Sequence, residues 1–211
     1  SMLALAQALK GGREWRNIRG LSYIAKEKKD SYLELPSFEE CVKDKREFVK
    51  AFDIFYHNCD SITAKGLCQL CGDRYLIQNP PSENFTSEEL DSIYSMDFER
   101  DVHPYYKAMG EVRALDTIRT SVTTHRGCYG ECNFCAIAIH QGRTVISRSQ
   151  DSIVEEVKEI ASAPKFKGYI ADVGGPTANM YDIECSKKLK VGACQDKRCL
   201  YPHKCPALKI D

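Results

Sequence analysis

The stretch from Ser121 to Val157, SVTTHRGCYGECNFCAIAIHQGRTVISRSQDSIVEEV, sets three cysteines, Cys128, Cys132 and Cys135, on one short loop. Just upstream, TIRTSVTT (117–124) is rich in β-branched residues and reads as an extended strand, so the loop starts where a strand ends. Downstream, SQDSIVEEVKEIASAP (149–164) carries Ile153, Val154, Val157, Ile160 and Ala161 at helical spacing for an inward face, with Pro164 past its end. KGYIADV (167–173) is the next strand and delivers Gly174, Gly175 and Pro176. Strand, crossover helix and strand in that order predict parallel pairing. The cysteine loop and the glycines then share one edge of a sheet.

The number of cysteines on the loop selects its chemistry. Four thiolates close a structural zinc site or an electron-transfer centre, whereas three around a 4Fe-4S cluster leave one iron without a protein ligand and free to take a small molecule. A competing reading is a non-enzymatic module in which His125, His140 or a cysteine of the C-terminal tail completes the ligand set. The iron-sulfur or zinc centre would then only hold the fold or relay electrons. His125 and His140 bracket the loop as second-layer donors or as packed side chains.

The chain has 211 residues and eleven cysteines. That odd, clustered set favours thiols and metal ligation over a disulfide framework, because the first ten residues, SMLALAQALK, lack the basic start and apolar run of an export signal. A soluble cytoplasmic protein is expected, with no membrane partner. Thirty Lys plus Arg balance thirty Asp plus Glu, so composition does not indicate nucleic acid. Cys59, Cys68 and Cys71 form C-x8-C-x2-C without a fourth ligand unless His57 serves, and are expected to be loop thiols. Cys185, Cys194, Cys199 and Cys205 form C-x8-C-x4-C-x5-C in a polar segment broken by Pro202 and Pro206. They match a second metal site, zinc or an auxiliary iron-sulfur cluster, against free thiols on a tail.

Local signals outline the rest. Residues 3–10 read as a helix ended by Gly11 and Gly12. Ser37 with Glu40 makes a capping box for a helix running to about Tyr56, with Phe38, Cys41, Val42, Phe48, Val49, Phe52 and Phe55 on one face and Cys41 buried there. GDRYLIQNPP (72–81) reads as a short strand, and Thr86 with Glu89 as a second capping box. The predicted organisation is a tail of a preceding α/β domain over 1–22, a helical and irregular linker over 23–115, the start of a barrel over 116–183 and a Cys-rich insertion or tail over 184–211.

With Phe134 directly before the third cysteine, the loop resembles that of the radical S-adenosylmethionine (SAM) superfamily. The runs GRTVISRS (142–149) and DVGGPTANMY (172–181), supported upstream by GDRYLIQNPP and HPYY (103–106), are similar to the YgiQ-like radical SAM family of unknown function. The resemblance covers nearly the whole chain. It implies a 4Fe-4S cluster on Cys128, Cys132 and Cys135, SAM chelated to the open iron, a 5'-deoxyadenosyl radical, and a reducing electron donor such as flavodoxin or ferredoxin. It names no substrate. It further implies Phe134 against the adenine and Gly174 with Gly175 at the SAM amino group, although Pro176 stands where many members have Glu. Arg143 and Arg148 flank TVIS (144–147), and either suits the SAM carboxylate. Arg148 is favoured, because similar radical SAM methylthiotransferases carry a comparable arginine just before this helix. The implied fold is α/β, a partial (β/α) barrel of parallel strands preceded by a wrapping segment. The 84 residues from Cys128 to Asp211 are too few for six strand-helix units, so a truncated barrel and an inactive fragment are expected.

Overall fold

The computed structural model describes residues 1–175, 178–196 and 198–210. The chain divides into two compact units, one from the described residues of 1–84 and 186–197, the other from those of 85–185 and 198–211.

The first unit starts with α1 (Met2–Lys10), which ends at Gly11 as its glycine pair predicts. Four short strands then build a sheet of which the sequence pattern announced only β4: β1 (Ser22–Ala25), β2 (Leu33–Leu35), β3 (Leu67–Cys71) and β4 (Arg74–Gln78) in the order β1-β4-β3-β2. The β3–β4 hairpin closes on Gly72-Asp73, with Gly72 at φ +61 and Cys71 opposite Arg74. A left-handed glycine is what a two-residue hairpin turn requires. Residues 23–84 are therefore a sheet with helices and not an irregular wrap. No strand in it exceeds five residues, too short for alternation to show. Cys68 and Cys71 lie in β3 and not in a loop, and Cys68 is buried with Tyr23 and Ile77 in the core of this unit. Asn79 fixes the flanking chain, donating to the carbonyls of Arg16 (2.8 Å) and Ile18 (2.7 Å) and accepting from the Tyr32 hydroxyl (2.7 Å).

The predicted single helix after Ser37 is two, α2 (Phe38–Lys43) and α3 (Lys45–His57). Asp44 breaks it. Its extended backbone ends α2 while its carboxylate accepts from the Arg46 N–H (2.8 Å) and caps α3. The Ser37–Glu40 capping box is present. Phe38, Val42, Phe48, Val49 and Phe52, expected inward, are exposed, and Cys41 is only half-buried. The segment 186–196 returns to this unit through a helix over Ser186–Val191, where the Ala193 N–H donates to the Asp60 carboxylate (2.9 Å).

The second unit opens with α4 (Ser87–Tyr94), held by the predicted Thr86–Glu89 capping box, followed by α5 (Pro104–Lys107) and α6 (Ala114–Ile118). Next come β5 (Ser121–Thr123), β6 (His125–Arg126), α7 (Ile137–Gln141), β7 (Ile146–Ser147), α8 (Gln150–Ser162) and β8 (Asp172–Gly174). The strand expected over 117–124 is shortened, because its first residues close α6. β5 and β8 pair in parallel with α8 between them, Val122 opposite Val173 and Thr123 opposite Gly174, as the strand-helix-strand order requires. β6 and β7 pair antiparallel. The architecture is thus mixed α/β with small sheets, some parallel. Along α8, Ile160 is buried, but Val154 and Ala161 face solvent and Glu156 is buried instead. Among the described residues no helix is long and apolar enough to cross a membrane.

Candidate cluster site

The loop after β6 is held in place by backbone. Gly127 sits at φ +93, and a Cβ there would lie 2.0 Å from the Thr144 carbonyl oxygen, so only glycine lets the two segments approach. The next residue, Cys128, donates its N–H to the Gly142 carbonyl (3.1 Å). Its sulfur is buried and accepts the Gly130 N–H (3.2 Å). The Cys128 and Cys132 sulfurs flank Gly130, lying 3.3 and 3.6 Å from the point where a Cβ on it would stand. The Cys135 N–H donates to the Cys132 carbonyl (3.0 Å) in a turn that leads into α7. Cys128 is buried, Cys135 half-buried and Cys132 exposed, and none is in a disulfide.

This donor set fits an iron-sulfur cluster. Three free thiols lie on one loop, and one sulfur already accepts an N–H bond of the kind that tunes such clusters. Among the described residues no three His, Cys, Asp or Glu side chains converge tightly enough for a single metal ion. A four-iron cube holds its thiolates further apart than a single ion does. Phe134 projects from the same loop and is 93% exposed.

A buried ion pair braces the loop from within. Glu131, a non-glycine residue at φ +48, meets Arg143 in a bidentate pair of 2.9 and 3.1 Å, with both side chains almost wholly buried. Nothing in the sequence singles out Glu131, since a glutamate among cysteines looks like any polar loop residue.

The expected glycine edge is close by. The Thr124 N–H donates to the Gly174 carbonyl (2.8 Å), which joins the ends of β5 and β8. A Cβ on Gly175 would stand 2.1 Å from His125 Nε2, so the imidazole packs directly on that glycine. Pro176 falls outside the described residues. His125 is fully buried, its Nδ1 is 2.9 Å from Thr124 Oγ1, and its Nε2 has no hydrogen-bond partner among the described residues. Burial pushes the His125 pKa down. Unfolding therefore takes up a proton below the ordinary histidine value of about 6.5, and stability, full above that pH, falls as the pH drops toward the depressed folded value. A urea midpoint that declines from about pH 7.5 to about pH 5.5, and declines less in His125→Gln, checks this sign. His140, by contrast, is exposed on α7.

Arg148 is 2% exposed and its guanidinium is filled by protein. It donates to Glu156, to the Thr123 carbonyl (2.8 Å), and to the Ser152 hydroxyl (2.7 and 3.2 Å) and carbonyl (3.0 Å), and it lies 4.2 Å over the Tyr94 ring. Glu156 also accepts from Arg100. The residue expected to meet a ligand carboxylate thus stands as a strut among α4, β5 and α8. Of the C-terminal cysteines, Cys185 and Cys199 are buried with Cys128 and Tyr129 in one apolar core, and Cys205 packs against it. Burial pushes the Tyr129 hydroxyl up to about 12. Cys194 belongs to the other unit. Cys185, Cys199 and Leu208 thus give this segment a foothold in the core of the second unit.

Residues 1–121 match the family model described as Radical SAM N-terminal. The chain is 71% identical over its full length to a UPF0313 protein of Fusobacterium nucleatum subsp. nucleatum, of which it spans 37%. It is 43% identical over 93% of its length to a UPF0313 protein of Clostridium botulinum and 45% identical over 92% to one of Methanocella arvoryzae, spanning 31% and 33% of these. The chain thus spans about a third of the curated relatives it matches. No solved structure matches it. The family model's match runs through the upstream sheet and α4 to α6 and ends at Ser121, before the three-cysteine loop, and with the relatives aligned across that loop this chain belongs to the radical SAM N-terminal family.

Proposed function

We propose that the chain is the part of a radical SAM enzyme that binds a 4Fe-4S cluster through Cys128, Cys132 and Cys135 and presents SAM to it. The observation that carries this reading is the three-thiol loop just past β6, locked by Gly127, the Cys128 N–H and the Glu131–Arg143 pair. The cluster, when bound, supplies one electron for cleavage of a carbon-sulfur bond of SAM, giving a 5'-deoxyadenosyl radical and methionine, with the electron drawn from a donor such as flavodoxin or ferredoxin. The chain's own residues bind and orient. Gly174 and Gly175 bring backbone to the same strand edge as the loop, for the SAM amino group, and Phe134 offers an open aromatic face for the adenine. Arg148, engaged throughout by protein, holds the frame, and a ligand carboxylate would have to take the place of Glu156 on it. A partial (β/α) barrel, of which β5, α8 and β8 form the first unit, is part of the same reading.

Anaerobic reconstitution tests it. The chain should gain iron and broad visible absorption, and SAM should change the EPR signal of the reduced cluster. Alanine at Cys128, Cys132 and Cys135 together should abolish both iron and colour. Stoichiometric iron retained in that variant, or an EPR signal indifferent to SAM, would refute the assignment.

A further inference from the structure

We infer that the buried Glu131–Arg143 pair is a positioning device that sets the reduction potential of the cluster, an inference that rests on the cluster reading above. Glu131 lies in the loop backbone between Gly130, whose N–H bonds the Cys128 sulfur, and Cys132. Arg143 follows Gly142, whose carbonyl holds the Cys128 N–H. The pair therefore clamps the loop to the segment that braces it, with two bonds of 2.9 and 3.1 Å. A neutral hydrogen-bonded pair of similar size could also tie the two segments together. Both charges are nevertheless kept away from water beside the thiol loop, where Coulomb interactions are far less damped than in solvent.

Reduction adds one electron to a centre that is already anionic. A fixed anion nearby opposes that step and a fixed cation favours it, and net charge is among the levers that set cluster potentials. Glu131 and Arg143 thus pull in opposite directions, and together they hold the potential between two extremes. A purely structural pair would behave differently, because losing either partner would loosen the loop in the same way.

The test is a charge cycle on the 211-residue chain, reconstituted anaerobically and titrated with dithionite and redox mediators while the EPR signal is followed. Glu131→Gln should raise the midpoint potential and Arg143→Met should lower it, each by at least a tenfold change in the reduction equilibrium, which is about 59 mV for one electron. The double variant should return close to the unaltered chain. Shifts of the same sign, or shifts below tenfold, overturn the inference. Should the single variants take up no iron, the reversed pair Glu131→Arg with Arg143→Glu decides: uptake with a raised potential supports the inference, and failed uptake or an unchanged potential overturns it. An unaltered chain that forms no cluster brings down the cluster reading and this inference with it, whereas a cluster that forms normally and ignores the charge cycle brings down only the inference.

Discussion

Gly127→Ala is expected to cost about 3 kcal/mol or more and to dismantle the cysteine loop. Two penalties combine. A Cβ on a residue at φ +93 is strained by about 1–2 kcal/mol, and this Cβ would in addition stand 2.0 Å from a carbonyl oxygen and 2.8 Å from its carbon. Those atoms are backbone, so relief requires the segment at Thr144 to move, which breaks the Cys128 to Gly142 bond beside it. Against a total stability of about 5–15 kcal/mol such a loss is large. Gly168→Ala is the control. Gly168 is at φ +85 with nothing within 4 Å of its Cβ position, so it carries the strain without the collision and should lose about 1–2 kcal/mol. Urea unfolding of the two variants measures the difference, and equal losses would show that the contact at Thr144 yields freely.

Arg148→Ala is the second large effect, expected at about 3 kcal/mol and toward the lower end for a broken buried pair, because Arg100 still faces Glu156. The substitution removes five donated bonds and the layer over Tyr94. Arg148→Lys should recover little, since an ammonium cannot fork to Thr123, Ser152 and Glu156 at once. Stability and ligand affinity separate the two roles for this residue. A strut lowers the unfolding midpoint whether or not SAM is present. A ligand contact lowers SAM affinity in a protein that melts normally, and that second pattern would contradict the role described here.

What could be read from the sequence depended on whether a feature was local. Capping boxes at Ser37 and Thr86 and the helix after Ser149 are each written within a few neighbouring residues, and the structure has them; the parallel pairing of β5 and β8 is long-range and followed from the strand-helix-strand order. The break at Asp44 was also local, yet it was hidden by an apolar pattern that runs through it in both helices. The four-stranded sheet was not legible, because β2 pairs with β3 across more than thirty residues and each strand is too short to show a period. At the site, spacing revealed the thiols, while Glu131 and Glu156 were invisible, since burying a carboxylate depends on an arginine brought to it by the fold. The same applies to Gly175. A larger residue there reads from sequence as a block to a ligand, but in the structure it would first displace the His125 ring. Gly175→Val therefore reports on folding before it reports on binding.

The apolar core around Tyr129 has a consequence in time. It joins Cys128 to Cys199 and Leu208 as well as to nearer residues, so the last of the loop's packing partners lie some seventy residues further along the chain. At about 5–20 residues per second of synthesis, roughly four to fifteen seconds pass between the emergence of the loop and the arrival of the residues that bury Cys128. During that interval the share of its burial that Cys199 and Leu208 supply is missing, and the sulfur is more open to water and oxidants than in the finished chain.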